Sequence, residues 1–261
     1  MSKPLILVSN DDGITSRGIR KLVELMVQLG EVVVVAPDSP QSGMGHAITV
    51  GDTLRLRESD IFHDLGVEAY ECSGTPADCV KLAKFHALKN RKVDLVVSGV
   101  NHGANSSISV LYSGTMSAAI EGAIEGTPAI GFSVCDYGAN AHFDHIDQFV
   151  TKITAETLEK GIPKGTALNV NFPVYDENKP LKGIRLCRQA KARWLEKFDQ
   201  RQDPYGRNYF WMVGDFINED DQDDNDEWAL KNDYVSVVPC QFDLTNYQSL
   251  SHLENIGFLS E

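Results

Sequence analysis

The sequence predicts an α/β fold: a mostly parallel sheet covered by helices on both faces, with an extended C-terminal β-hairpin protruding from it. Three observations lead there. Short Val/Ile/Leu runs such as Leu5-Ile6-Leu7-Val8, Val32-Val33-Val34-Val35 and Leu95-Val96-Val97 alternate with helical patterns through the first two thirds of the chain. Continuous apolar runs of this kind mark strands buried on both faces. Polar loops follow those strands at 10–13, 37–46 and 99–115, at the carboxyl ends where open α/β sheets bind ligands. Beyond residue 192 the pattern turns aromatic and charged, from Arg193-Trp194 to Arg207 and on through Asn208-Tyr209-Phe210-Trp211-Met212-Val213, with Pro204-Tyr205-Gly206 as the turn.

Taken in order, residues 4–9 form the first strand. Ser16 caps a helix carrying Ile19, Leu22, Val23, Leu25, Met26 and Leu29, closed by Gly30. Val32–Ala36 is the next strand, stopped by Pro37, and a shorter β-like stretch covers 46–56. Thr75-Pro76-Ala77-Asp78 reads as an N-cap with Pro at the first helical position, opening a helix through Val80, Leu82, Ala83 and Leu88. A strand at 94–98, a polar loop, a small-residue helix over Thr115–Glu125, a strand at Pro128–Ser133 and a helix at 144–160 follow. A lone hairpin is marginal in water, so the one at 193–213 must pack on the body or on another subunit; its Trp/Tyr/Phe/Met/Arg mixture suits an interface. Asp215–Glu227 holds eight carboxylates but lacks the Gly and Glu of an EF-hand, so it reads as a solvated acidic loop. Tyr234–Pro239 is a final strand and 246–257 a short helix. The chain thus divides into a body at 1–185, an extended hairpin and acidic loop at 186–240 expected to serve as an oligomerisation arm, and a C-terminal helix at 241–261 expected to pack on a body, as one functional domain.

Composition narrows the function. With 24 Lys+Arg against 37 Asp+Glu the net charge is −13, which disfavours duplex nucleic acid, because phosphate binding needs a basic face. No apolar run reaches the ~18 residues of a membrane helix, and Met1-Ser2-Lys3-Pro4 leads straight into a strand, so no signal peptide is expected. The five cysteines are scattered and never spaced as CxxC, which points to reduced core thiols and a cytoplasmic setting. The chain has no HExxH, GxxxxGK[ST] or GxSxG, and no GxGxxG follows the first strand.

The most informative segment is Asn10-Asp11-Asp12-Gly13 at the end of the first strand. Adjacent carboxylates there cost desolvation and repel one another. A hard divalent cation (Mg, Mn or Ca) removes both problems; the alternative is an Asx turn at Asp12-Gly13. In Pro40-Gln41-Ser42-Gly43-Met44-Gly45-His46 the glycines allow close backbone approach to an anion or metal, or simply a flexible loop. Asn101 at another strand end offers a neutral carbonyl ligand, or is a turn residue. Ser113-Gly114-Thr115 opens a helix whose N-terminus suits phosphate or is an ordinary cap, and Asn105 lies between the two segments.

Together, Ile6–Ile14, Ala36-Pro37-Asp38, Ser42 to His46, Ser73–Lys81, Ser98 to Asn105 and Ser113-Gly114-Thr115 resemble the SurE family of metal-dependent 5′-nucleotidases. The likeness continues through Arg188-Gln189, Arg193-Trp194, Tyr209 to Gly214 and Tyr234–Val237, nearly the whole chain. Departures fall at Asp233, at Val238-Pro239-Cys240 and at Ser106–Ser109, none of them a proposed ligand. The resemblance implies that the stretch at 1–185 is a Rossmann-like three-layer αβα catalytic body. It implies one divalent ion per subunit (Mg or Mn, with Ca also able to bind) held by Asp11, Asp12, Ser42 and Asn101, with Asp11 and Asp12 catalytic. Asn105, Ser113, Gly114 and Thr115 would meet the substrate phosphate, with Asn10, Gly13, Gly43, Gly45 and His46 supporting the loops. It also implies hydrolysis of nucleoside 5′-monophosphates, and in the family also 3′-monophosphates and short polyphosphate, and dimers or tetramers formed through the hairpin. For the reaction step, attack by metal-activated water is expected, because adjacent carboxylates bound to a metal are poor nucleophiles; a phospho-aspartate route is the alternative. Two rivals stay open: a haloacid-dehalogenase-like phosphatase, disfavoured because its carboxylates are spaced Asp-x-Asp, and a non-catalytic nucleotide sensor.

Overall fold

The structure, a computed structural model, describes residues 3–89, 91–138 and 141–258. Met1-Ser2, ahead of the expected first strand, and Leu259–Glu261, the end of the expected C-terminal segment, lie outside them.

Alternation along β1 (Leu5–Ser9) sends Ile6 and Val8 to one face of a sheet and Leu5 and Leu7 to the other, all buried. α1 (Arg17–Met26) starts at the Ser16 cap and buries Ile19, Leu22, Val23, Leu25 and Met26. β2 (Glu31–Pro37) pairs parallel to β1. β3 (Leu56–Glu58) runs antiparallel to β4 (Glu68–Cys72), and β4 is parallel to β2. α2 (Pro76–Leu82) begins in a capping box in which Thr75 and Asp78 exchange side-chain-to-backbone hydrogen bonds.

The chain then returns to the other side of β1. β5 (Leu95–His102), α3 (Gly114–Ile124), β6 (Ala129–Val134), α4 (Asp147–Lys160) and β7 (Thr166–Phe172) step outward with parallel strands. β8 (Ile184–Leu186) leads to the hairpin β9 (Ala192–Gln202) and β10 (Asn208–Asn218), then to α5 (Asp226–Lys231), β11 (Val235–Gln241) and α6 (Tyr247–Asn255). The sheet order is β3-β4-β2-β1-β5-β6-β7-β11-β8, with β9 and β10 forming a separate two-stranded sheet.

A layer of apolar side chains covers each face of the sheet: Ile19, Leu22, Phe132 and Phe172 on one side, Val33, Val96, Met116 and Ala118 on the other. α3 is buried over most of its circumference, and its small residues permit close approach. A Cβ added at Gly122 would come 2.8 Å from Val96 Cγ2.

Three local differences from the sequence-based expectation have physical causes. The 46–56 stretch pairs as a strand only at its end. Upstream, its backbone is engaged by the α2 cap: Thr49 N and Oγ1 donate to Asp78, and Thr75 Oγ1 donates to Ala47 O at 2.7 Å. β4, short and half polar, and β8, only three residues long, offer no pattern to read. The acidic run is only partly a solvated loop. β10 extends through Asn218, and Asp226 begins α5 with its side chain fully buried. All five cysteines are free thiols, and among the described residues no helix is long and apolar enough to cross a membrane.

Candidate active site

The reversal of strand order falls between β1 and β5, the topological switch point where open sheets form a ligand crevice. Ser9 is level with Ser98, so Asn10–Gly13 leaves β1 beside the last residues of β5, which continue in the sheet paired to β6 through His102. The β5–β6 register slips between Ser98 and Asn101, which brings Asn101 opposite Ser133.

Asp11 is the pivot of this edge and only 4 % exposed. Thr115 Oγ1 donates to its Oδ1, and Gln41 N donates to its backbone O at 2.7 Å, tying both the α3 N-terminus and the Ser42 loop to β1. Burial pushes the Asp11 carboxyl up to about 6; the adjacent Asp12 charge adds to this, against the opposing Thr115 hydrogen bond. Asp12 is more open, and its Oδ2 faces His102 Nδ1 at 3.3 Å. Gly13 takes φ +92°, the turn that lets consecutive carboxylates share one edge rather than opposite faces of a strand. Asn10 braces that turn: its Nδ2 donates to Gly13 O and Ser16 Oγ, both at 2.9 Å, while its buried Oδ1 has no hydrogen-bond partner among the described residues.

Ser113 caps α3, its Oγ accepting from Met116 N at 3.0 Å. Gly114 packs directly on Asp11: an added Cβ would lie 2.6 Å from Asp11 Cβ and 2.9 Å from Oδ2. Asn101 Nδ2 donates to Gly103 O at 2.8 Å, and no hydrogen bond reaches its Oδ1 among the described residues. Ser42 is exposed in the loop beside Asp11, between Gln41 and Gly43 (φ +74°), and Gly45 N donates to Tyr112 O at 3.1 Å.

Two of the candidate residues are committed elsewhere. His46 Nε2 meets Glu121 Oε2 at 2.9 Å, and Lys81 Nζ donates to Glu121 Oε1 at 2.6 Å, so His46 braces its loop against α3. Asn105 is locked into a buried amide network. Its N donates to Asn171 Oδ1, its Nδ2 to Ser133 Oγ, and its O accepts from Asn169 Nδ2. One Nδ2 hydrogen is therefore left without a partner among the described residues.

Sequence reasoning missed His102, although it directly follows Asn101, and it missed Asp226. The Asp226 carboxylate accepts from Ser107 N at 2.8 Å, Ala190 N at 2.9 Å and Glu227 N at 2.9 Å. Burial raises its carboxyl against those donors. It thereby ties the turn preceding Ser113 to the root of β9, a role hidden because the residue sits in an acidic run.

Glu121 gives a pH prediction. Burial pushes its carboxyl up, but the His46 and Lys81 hydrogen bonds outweigh it, and the net lies below the ordinary glutamate range. A lowered carboxyl contributes stability above its unfolded value and loses it as pH falls through the folded one. Glu121→Gln is expected to flatten that acid limb in a pH series of thermal melts; an unchanged limb would refute the ion-pair assignment.

Residues 6–196 match the family described as Survival protein SurE. The chain belongs to the SurE family. A Cytophaga hutchinsonii protein named 5′-nucleotidase SurE is 71% identical over 253 residues, covering 97% of this chain and 96% of that one. A Flavobacterium psychrophilum protein of the same name is 58% identical over 255 residues, 98% of each. The crystal structure of the SurE protein from Aquifex aeolicus superposes with a TM-score of 0.82 at 40% identity, covering 97% of this chain and 99% of that one.

The donor set of this SurE-family edge fits a hard divalent cation. Among the described residues no three His, Cys, Asp or Glu converge on a metal position, so the candidates are two carboxylates, a hydroxyl and an amide oxygen. All are oxygen donors of the kind Mg, Mn and Ca prefer. The raised Asp11 carboxyl, buried beside Asp12, marks a place where positive charge lowers the energy.

Proposed function

We propose that this chain is a divalent-metal-dependent 5′-nucleotidase that hydrolyses nucleoside 5′-monophosphates to nucleoside and phosphate. The observation that carries the reading is the buried Asp11 at the switch point, in contact with the N-terminal turn of α3 and adjacent to Asp12. The activity in the names of the relatives supports it. Asp11, Asp12, Ser42 and Asn101 would hold the ion, with Mg or Mn as the working choice. Bound there, a divalent ion supplies neutralisation of phosphoryl charge and acidification of water.

The chain's own residues do the rest. Asp12, steadied by His102, orients a water and takes its proton. Ser113, Gly114 and Thr115 hold phosphoryl oxygens at the helix N-terminus, with the remaining Asn105 Nδ2 hydrogen beside them. The water oxygen bonds to phosphorus, the ester P–O bond breaks, and the proton that Asp12 took is passed to the leaving ester oxygen, which restores the carboxylate and releases nucleoside and phosphate. A sensor would not need this catalytic pair.

The same reading assigns the hairpin to self-association as a dimer or tetramer. Leu195, Tyr209 and Trp211 are exposed on the hairpin, and no residue of α6 is buried. A monomer by light scattering would refute that part.

A panel of nucleoside 5′- and 3′-monophosphates and short polyphosphate, run after chelation and again with Mg or Mn, tests the activity. Restoration by metal with 5′-monophosphates hydrolysed is expected; inactivity on every substrate would favour the sensor.

A further inference from the structure

We propose that the cleft between the 42–45 loop, Tyr112 and the root of the hairpin is the nucleobase slot, and that Glu196 reads a base edge bearing two adjacent N–H donors, as guanine does. The inference rests on the nucleotidase reading and extends it to the part of the substrate that does not react.

A cavity of about 560 Å³ opens between Gly43 and Tyr112 on one side and Trp194, Glu196 and Met212–Gly214 on the other, Val213 included. That lies within the roughly 300–1,000 Å³ of small-molecule sites. Its inner wall continues the reaction centre: Gly43 follows Ser42, Tyr112 precedes Ser113, and the Gly45 N to Tyr112 O hydrogen bond ties the two loops together. A phosphate held at Ser113–Thr115 therefore has its ester substituent beside this cavity.

The outer wall is a notch in one face of the hairpin. Pairing sets Trp194 opposite Phe216, Glu196 opposite Gly214 and Phe198 opposite Met212, and directly opposed residues share a face. Gly214 supplies no side chain, leaving a gap between Phe216 and Met212. A Cβ there would approach Leu195 O to 2.6 Å, so the gap is built into the backbone. The Trp194 ring stands beside it, held edge-on by Phe216 with centroids 5.3 Å apart.

Every base has a π-face, so stacking on Trp194 does not discriminate; that falls to Glu196. No ion pair or hydrogen bond engages its carboxylate among the described residues. A carboxylate accepts two parallel N–H bonds. Guanine presents N1–H and its amino group side by side, whereas adenine sets its amino group next to an acceptor. A second copy of the chain could also cover an aromatic face. This face is assigned to ligand because its cavity opens onto both loops of the reaction centre, at Gly43 and at Tyr112.

The test compares wild type, Trp194→Ala and Glu196→Gln. The readouts are hydrolysis of GMP, AMP and ribose 5-phosphate with Mn, guanosine binding by calorimetry in chelated protein, and mass by light scattering. Wild type is expected to favour GMP over AMP by about tenfold or more, the worth of a hydrogen bond to a charged group. Glu196→Gln should bring that ratio near one. Trp194→Ala should raise KM for both nucleotides relative to ribose 5-phosphate, and both variants should weaken guanosine binding. Unchanged base discrimination and guanosine affinity in both variants would overturn the slot, as would a variant that changes only the mass. If wild type hydrolyses none of the three esters while the variants still lose guanosine binding, the nucleotidase reading fails and the slot stands.

Discussion

Replacing Asp12 by Asn is expected to lower kcat/KM for a nucleoside 5′-monophosphate by at least about 100-fold, read as phosphate release with saturating Mn. In the proposed mechanism the carboxylate has two tasks that an amide does not perform: balancing the charge of a divalent ion and accepting the proton of the attacking water. A lost metal or Lewis-acid contribution of several kcal/mol, at about 1.36 kcal/mol per decade, gives that magnitude. Asp12 is partly exposed, and among the described residues its carboxylate is held only by His102 at 3.3 Å, so the substitution removes chemistry without cutting into the core. Asp11→Asn should lose activity to a similar degree but differ in stability. Its carboxyl is buried beside a like charge, so in chelated protein at neutral pH the amide variant is expected to melt no lower than wild type. Full activity in either variant would place the reaction elsewhere.

Gly114→Ala should be the most damaging single-methyl change in the site. The added carbon would lie 2.6 Å from Asp11 Cβ, against backbone-anchored β1 on one side and the buried start of α3 on the other. Either Asp11 or the helix must move. Overpacking of this kind costs roughly 1–3 kcal/mol, and a displacement near 1 Å at a reacting centre costs about 100-fold in rate. A fall in both melting temperature and kcat is expected, with circular dichroism unchanged. Wild-type kcat would show that Asp11 and the helix N-terminus do not act as one unit.

The parts of this molecule that read clearly from sequence are those where one local signal decides the outcome. Leu5–Val8 and Val32–Val35 are apolar on both faces and could only be buried strands. Ser16 and Thr75 cap the helices they announce. Asp11-Asp12-Gly13 stood out because paired carboxylates at a strand end are costly without a cation. What stayed hidden depends on contacts distant in sequence. His46 reads as a loop residue at the site until Glu121, 75 positions away, is seen to hold it. Asn105 reads as a free donor until Ser133 and Asn171 take its hydrogen bonds. Asp226 looks like one more surface acid among eight, yet it is buried by three backbone N–H donors from separate segments. The notch at Gly214 exists only through the β9–β10 register, which no single strand reveals.

The central claim is that Asp11 and Asp12 hold the divalent ion on which hydrolysis depends. Its most direct test is a Mn titration of chelated protein, following phosphate release from a nucleoside 5′-monophosphate. The account predicts no release without metal, a rise that saturates at one ion per chain, and no rise in Asp12→Asn. Turnover that survives chelation, or an Asp12→Asn variant that titrates like wild type, would contradict it.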